Sequence, residues 1–440
     1  MLTISSGHSA NYLLDAVATG RENYYTGAVA AGEPPGRWYG AGAEEFGLTG
    51  LVDPQDMRAV FEHYLDPRDP NFRDPDRWDE VATLGHIGRK YQTVEEIYQR
   101  SLDAEPYADA ERREQLRLDA SKRARKNVAF LDVTFSVQKS VTILHAAFEA
   151  QEVKALTADD EEAAKAWGEY RQAVEDAIWA GNNAGLDYLQ QHAGYSRVGH
   201  HGGAAGRFID AHKWTIASFF QHDSRNHDPQ LHIHNTASNR VLCADGEWRA
   251  LDSKGIHKIR PAAGAVAERT TEERLTASLR VLLAMRPDGK AREVVGIPEA
   301  VNALYSSRRR AITPKTAELV AAFEAKHSRA PNALELDRLH RHATFVTRRA
   351  KSHHGETTEQ RLDRVDRELR AEIDGGLAQL AADVLALTDR VPEPETWSPA
   401  EVMATGLADV QSKKAAWTKA DLTRAISNAL PDHLGITDGA

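Results

Sequence analysis

An α+β fold is predicted for this chain: a central, mainly antiparallel β-sheet flanked by helices, continued by a helical C-terminal lobe. Three observations carry that expectation. Residues 128–137 alternate strictly, with Leu131, Val133, Phe135 and Val137 on one face and Asp132, Thr134 and Ser136 on the other, the period of a half-buried strand. Two more strand-like runs, 215–222 and 231–241, follow one another closely, and Asp245-Gly246 between two short apolar segments is a hairpin signal. From Arg260 onward the apolar spacing is almost entirely helical.

Taken in order, residues 2–4 read as a short strand and 9–17 as a helix bearing Tyr12, followed by a Gly/Pro-rich loop through 32–36. After the alternating strand, 139–151 and 157–191 read as helices, the second opening with Thr157 and early acids. Thr313-Pro314 and Ser398-Pro399-Ala400-Glu401 each look like an N-cap with proline at the first helical position, the latter also a capping box. Val391-Pro392-Glu393-Pro394-Glu395 reads as a linker, and no internal repeat is evident.

The composition limits the function classes. A chain of 440 residues buries a substantial core and holds one large domain with an appendage, or two domains. Its single cysteine, Cys243, rules out an internal disulfide and a cysteine-based zinc site. No apolar run reaches membrane-spanning length, and the N-terminus lacks the pattern of a signal peptide, so a cytoplasmic setting is expected. A net charge of −10 runs against nucleic-acid binding, but the charge is blocky: acidic over 66–80, 95–114 and 159–175, basic over 122–126, 308–310 and 338–354. A positive groove is compatible with a negative sum.

The most informative stretch is 219–235. His232 and His234 alternate with Leu231 and Ile233, so a strand would point both imidazoles to one face and both aliphatics to the core. His222 ends the preceding apolar run and would supply a third nitrogen if the Asp/Ser/Arg/Pro segment folds back as a turn. Three neutral imidazoles with an open position suit a catalytic divalent metal.

Other segments accompany this one: Leu131-Asp132-Val133-Thr134-Phe135-Ser136 with Lys139-Ser140-Val141, then Gly246-Glu247-Trp248-Arg249-Ala250-Leu251, and Gly42-Ala43-Glu44-Glu45-Phe46-Gly47-Leu48 near the start. With His222-Asp223-Ser224-Arg225 and Asp228-Pro229-Gln230-Leu231-His232-Ile233-His234, they resemble the relaxase domain of F-plasmid-type (MOBF) conjugative relaxases, in the histidine-hydrophobe-histidine (HUH) endonuclease group. The order also agrees, with tyrosines first, then the acidic strand, then the histidines.

The resemblance implies a palm-like sheet with a tyrosine helix over it and a helical lobe closing on DNA. It implies site- and strand-specific nicking and rejoining at a plasmid origin of transfer, in which a tyrosine attacks a phosphodiester and leaves a 5′-phosphotyrosine. Tyr12 matches the first nucleophile and Tyr24-Tyr25 the second pair. Leu13 departs from the family's first pair, and the gap between Tyr12 and Tyr24 is long. His222, His232 and His234 match the metal ligands. Asp132 would either orient a metal-binding histidine or take the phenolic proton.

The implied cofactor is a divalent cation, Mg²⁺ or Mn²⁺ first, with Zn²⁺ or Ni²⁺ as alternatives. The implied partners are single-stranded DNA, a DNA hairpin beside the nick, accessory relaxosome proteins and a coupling protein. The expected division is 1–260 as catalytic core, 261–390 as a helical lobe, and 391–440 as a linker and helical segment. No Gly-x-x-x-x-Gly-Lys-Ser/Thr loop occurs, and Lys413-Lys414-Ala415-Ala416-Trp417-Thr418 resembles the entry to a helicase, so the chain is expected to be the N-terminal part of a longer relaxase.

Three other readings compete. A histidine-motif hydrolase of small nucleotides would place a third alternating histidine at Thr236. A non-catalytic origin-binding protein would hold only a structural metal. A rolling-circle replication initiator would carry its nucleophile after the histidines.

Overall fold

The computed structural model describes residues 1–7, 34–86, 91–124, 127–199, 206–224, 226–289, 291–348, 357–390 and 393–435. The expected helix with Tyr12, as well as Tyr24, Tyr25, His200, His201 and Arg225, lies outside the described residues. In chain order the first half holds β1 (Leu2–Gly7), β2 (Arg37–Tyr39), α1 (Ala41–Glu45), α2 (Pro54–Phe61), α3 (Val94–Ala104), α4 (Ala110–Arg123), β3 (Phe130–Ser136), α5 (Lys139–Thr157) and α6 (Glu161–Ala193). Then come β4 (Tyr195–Val198), β5 (Arg207–Asp210), β6 (Ile216–Asp223), β7 (Pro229–Ser238), β8 (Val241–Leu242), β9 (Trp248–Arg249) and α7 (Ser253–Leu279). The remainder holds β10 (Leu283–Met285), β11 (Arg292–Val294), α8 (Glu299–Leu304), α9 (Ser307–His327), α10 (Ala333–Val346), α11 (Thr358–Leu369), α12 (Gly376–Leu385), α13 (Pro399–Lys413) and α14 (Lys419–Ala429).

Five strands form one antiparallel sheet in the order β1-β3-β7-β6-β2. Its alternating side chains separate two cores. Leu131, Val133 and Phe135 of β3, Phe220 of β6, and Leu231 and Ile233 of β7 join the apolar cluster with α5, α6 and α7. On the opposite face, Phe130, Ala217 and Phe219 pack with Trp38, Met57 and Phe61. Each fully buried large aliphatic or aromatic contributes about 1.5–3 kcal/mol, so the sheet is clamped from both sides.

Buried polar residues interrupt the apolar face at Asn235 and its ladder partner Ser218. Asn235 is fully buried between His234 and Thr236. Its amide donates to the Val133 carbonyl at 2.7 Å and to Asn182 Oδ1 at 2.7 Å, while its Oδ1 accepts from Ser218 at 2.7 Å and from Asn182 Nδ2 at 3.1 Å. The two asparagines thus tie α6 to the middle of the sheet with every strong group satisfied. Close packing of α6 on α7 depends on Gly181, where an added Cβ would fall 1.9 Å from Thr271 Oγ1.

Beyond the sheet, α11 is fastened to α5 by the buried pair Arg361–Glu149, in which one guanidinium nitrogen donates to both carboxylate oxygens at 2.8 Å. α14 lies against α7, where Arg292 reaches Glu272 at 3.5 Å and Asp432 at 2.8 Å. Residue 260, where the sequence divides core from lobe, lies inside α7.

The described region after Arg260 is helical except for β10 and β11, which form a hairpin held to the start of α5 by Ser140, which donates to Glu293 at 2.5 Å. One local expectation is corrected. Pro314 sits within α9 rather than opening it. The cap comes from elsewhere in the chain: the Asp228 carboxylate accepts from Ser307 N at 3.0 Å and Ser307 Oγ at 2.6 Å. Ser398, by contrast, caps α13 by accepting from Glu401 N, with Pro399 at the first turn. Among the described residues no helix is long and apolar enough to cross a membrane.

Candidate active site on the sheet face

β7 delivers His232 and His234 to one face of the sheet because two residues restore the side-chain direction. Their rings lie 5.0 Å apart at 69°. Across the ladder His232 faces Ser136 and Gln221, while His234 faces Thr134 and Phe219.

Both imidazoles are oriented through Nδ1. His232 Nδ1 lies 2.7 Å from the Gln230 carbonyl oxygen. A carbonyl only accepts, so this Nδ1 carries a proton, which leaves Nε2 as the ring's coordinating atom whenever the imidazole is neutral. His234 Nδ1 lies 2.8 Å from Asp132 Oδ2 and 3.3 Å from Thr134 Oγ1. Thr134 in turn donates to Asp132 Oδ1 at 3.2 Å. An acceptor behind each ring nitrogen is the arrangement that fixes histidine ligands of metals. The donor set therefore fits a divalent cation, with two Nε2 atoms presented from one strand.

His222 does not join them. Gln221 is paired with His232, so His222, one position on, turns to the opposite face of the sheet. The register shifts between Gln221 and Asp223, where two steps of β6 span three of β7. The His222 ring instead lies 5.2 Å from Phe220 and 5.4 Å from His145 of α5. There His145, Glu175 and His222 bring one ligand atom each to within 4.8 Å of one another. Among the described residues this is the one trio of such groups close enough to hold a metal. The expected three-histidine set thus divides into a pair on one face and a single histidine on the other.

The second cluster is strongly polarised. His145 is fully buried, its Nε2 is 2.9 Å from Glu175 Oε1, and its Nδ1 has no hydrogen-bond partner. Burial lowers the His145 pKa despite the neighbouring carboxylates. Burial also works to raise the Glu175 pKa, but the bonds and charges of His145 and Arg171 outweigh it and hold that carboxyl at about 2. The sequence pattern singles out neither His145 nor Glu175. Thr134 was seen only as a polar-face residue of β3.

The segment linking β6 to β7 folds back as a turn, with Ser224 N donating to the Asp228 carbonyl at 2.9 Å and His227 N to the Ser224 carbonyl at 2.9 Å. Asn226 and Asp228 both bond Ser307, which joins this turn to the start of α9. Lys139 Nζ donates to the Pro229 carbonyl at 2.5 Å and to Gln230 Oε1 at 2.8 Å. Burial lowers its pKa to about 8, against the opposing charges of Asp228, Asp223 and Glu293. Trp214 is fully buried, and Trp248 stacks on Phe46 at 5.4 Å.

Comparison with known proteins adds a family. A family model described as TrwC relaxase matches residues 6–371. The multifunctional conjugation protein TraI of Escherichia coli is 25% identical over 447 residues, covering 99% of this chain. The chain spans about a fifth of the length of that curated relative, 20%. Among solved structures, the metal-free conjugative relaxase TrwC in complex with oriT DNA is 21% identical, with a TM-score of 0.49 over 87% of this chain and 98% of that one. A copper-bound TrwC–oriT structure gives 21% identity and a TM-score of 0.48 over 87% and 98%.

Proposed function

The chain belongs to the TrwC relaxase family, and from that membership we propose that it nicks and rejoins one DNA strand at a plasmid origin of transfer. The observation that carries this reading is the His232–His234 pair on one face of the sheet with Asp132 behind His234. The TraI and TrwC relatives, named for conjugation and for oriT DNA, support the same assignment.

The proposed reaction is a transesterification. A tyrosine oxygen, from Tyr12 first and Tyr24 or Tyr25 in a second step, attacks the scissile phosphorus. The P–O3′ bond breaks, the 3′ oxygen leaves with the bonding pair and takes up a proton, and the phenolic proton passes to water. Rejoining is the reverse attack by a 3′-hydroxyl on the 5′-phosphotyrosine. A divalent cation held by His232 and His234 would polarise the phosphate and offset its developing charge. Imidazole donors favour Mn²⁺ over Mg²⁺, which prefers an all-oxygen shell; Zn²⁺ or Ni²⁺ is chemically compatible.

Asp132 serves as the orienting group in this reading, because one carboxylate oxygen faces His234 and the other accepts from Thr134. His222 is assigned to the opposite face, where its role is with His145 and Glu175. Partners proposed with the reaction are single-stranded DNA, a hairpin beside the nick, relaxosome proteins and a coupling protein, in a cytoplasmic setting. The lobe formed by α9 to α12 would close on DNA, its position coupled to the histidine turn through Asp228 and Ser307.

The test incubates the protein with labelled single strands from its own transfer origin, with Mn²⁺ or Mg²⁺ and then with EDTA. A metal-dependent covalent protein–DNA band lost in Tyr12→Phe supports the reaction and the nucleophile together. Tight binding with no adduct on any strand would replace it with the non-catalytic origin-binding reading.

A further inference from the structure

His232 and His234 are braced from behind in different ways. His234 meets Asp132 of the neighbouring strand at 2.8 Å, whereas His232 meets the carbonyl of Gln230, two positions back in its own strand, at 2.7 Å. That carbonyl is only as well placed as residues 229–231. They open β7, where its pairing with β6 slips between Gln221 and Asp223. Pro229 has no N–H to give to a ladder, and the bond from Val137 N to the Leu231 carbonyl is long, at 3.4 Å.

The first turns of α5 supply the bracing. The Cα of Gln230 stands between two planar peptide units, and its φ and ψ are the soft angles that join them. Lys139 holds the first unit, its Nζ donating to the Pro229 carbonyl at 2.5 Å. Thr142 holds the second, its Oγ1 accepting from Leu231 N at 3.1 Å. The second unit carries the oxygen that meets His232 Nδ1. Lys139 also donates to Gln230 Oε1 at 2.8 Å, and the Gln230 side-chain amide donates in turn to the Val137 carbonyl at 3.3 Å. Burial works against the ammonium and lowers its pKa to about 8, with the charges of Asp228, Asp223 and Glu293 opposing. A desolvated cation needs partners, and its hydrogen bonds go to residues 229 and 230.

We propose that Lys139 is a positioning residue for His232: by fixing residues 229 and 230 it keeps the Gln230 carbonyl on Nδ1, and so reserves Nε2 of the neutral ring for coordination. The proposal rests on the reading of His232 as a metal ligand, and it extends the residues that shape that ligand from the sheet to the start of α5. Without the ammonium, the Gln230 peptide turns more freely and Nδ1 loses a fixed acceptor. The ring then populates its other tautomer, in which Nε2 carries the proton and cannot coordinate.

The experiment labels the histidine rings with nitrogen-15 and reads their tautomers by NMR in the metal-free protein. The pH is set about one unit above the ordinary histidine value of about 6.5, and the signals are assigned with His232→Gln and His234→Gln. The parent should show His232 protonated at Nδ1. Lys139→Met, which keeps the length of the stem and removes the donors, should show a mixture of tautomers at His232 with His234 unchanged. Its Mn²⁺ affinity, read by calorimetry, should fall about tenfold, the low end for losing a group behind a ligand. Lys139→Arg should recover part of both, since a guanidinium still donates to a carbonyl and an amide oxygen. Gln230→Met removes one of the two acceptors and should shift the tautomers in the same direction. An unchanged His232 tautomer in Lys139→Met, or in Gln230→Met if the first variant does not fold, would overturn the proposal. So would a parent protein with Nδ1 unprotonated. A parent that binds no Mn²⁺ would sink the metal reading, while the tautomer spectra still decide the role of Lys139.

Discussion

Asp132 and His234 meet across the β3–β7 ladder, with Asp132 Oδ2 2.8 Å from His234 Nδ1. They sit on different strands, 102 positions apart. The contact occupies Nδ1 of His234 and places the carboxylate where an orienting group would stand.

If Asp132 orients His234, then Asp132→Ala should lower Mn²⁺ affinity by about 10- to 100-fold, with nicking falling in parallel. Asp132→Asn keeps an acceptor oxygen and should lose less of both. Calorimetric metal titration beside the adduct assay checks this. Nicking abolished in Asp132→Asn with metal affinity intact would assign the proton-transfer role instead.

His222 provides a second check. Because it lies beside His145 on the helix-covered face, His222→Ala should leave Mn²⁺ binding at the His232–His234 pair short of the about tenfold loss expected for a ligand. His234→Ala should remove that binding. Equal loss in the two variants would mean that the three histidines share one ion.

Legibility in the sequence followed periodicity. The strict alternation of β3 and the His-Ile-His spacing of β7 fixed a face for Asp132, His232 and His234, because a period of two needs no knowledge of neighbours. His222 was not legible in the same way. Its direction depends on how β6 registers against β7 and on the slip between Gln221 and Asp223, and both are tertiary facts. The start of α9 was misread for a related reason, since its capping carboxylate, Asp228, comes from 79 positions away. The tyrosines rest on family resemblance alone.

The Arg361–Glu149 pair should be costly to break. Both side chains are buried, and removing the cation leaves a carboxylate inside the protein. Arg361→Leu is expected to destabilise the fold by about 3–5 kcal/mol, measured by urea denaturation. Replacing both residues with leucine should recover much of the loss, since no uncompensated charge remains.

Glu272 makes stability depend on pH. Burial raises its pKa to about 7, more than the nearby Arg292 and Arg269 lower it. The folded state therefore holds a proton that the unfolded chain releases near pH 4.5. The associated stability is fully present below that value and is lost as pH rises through about 7. The span is about 3 kcal/mol. Denaturation midpoints between pH 5 and 8 should fall in the parent protein and stay flatter in Glu272→Gln. Identical slopes in the two proteins would place the linkage elsewhere.

Asn235 has a consequence for the other side of the sheet. A strand that slid by one position would present Ile233 outward and turn both imidazoles into the apolar layer beneath α6. The same slip would tear the asparagine amide from Val133, Ser218 and Asn182, at a cost of about 1 kcal/mol for each bond lost and more for groups left buried without partners. The amide works as a parity check on β7. It accepts one of the strand's two orientations and rejects the other. The direction in which His232 and His234 point is thus chosen by a residue whose own side chain points the other way.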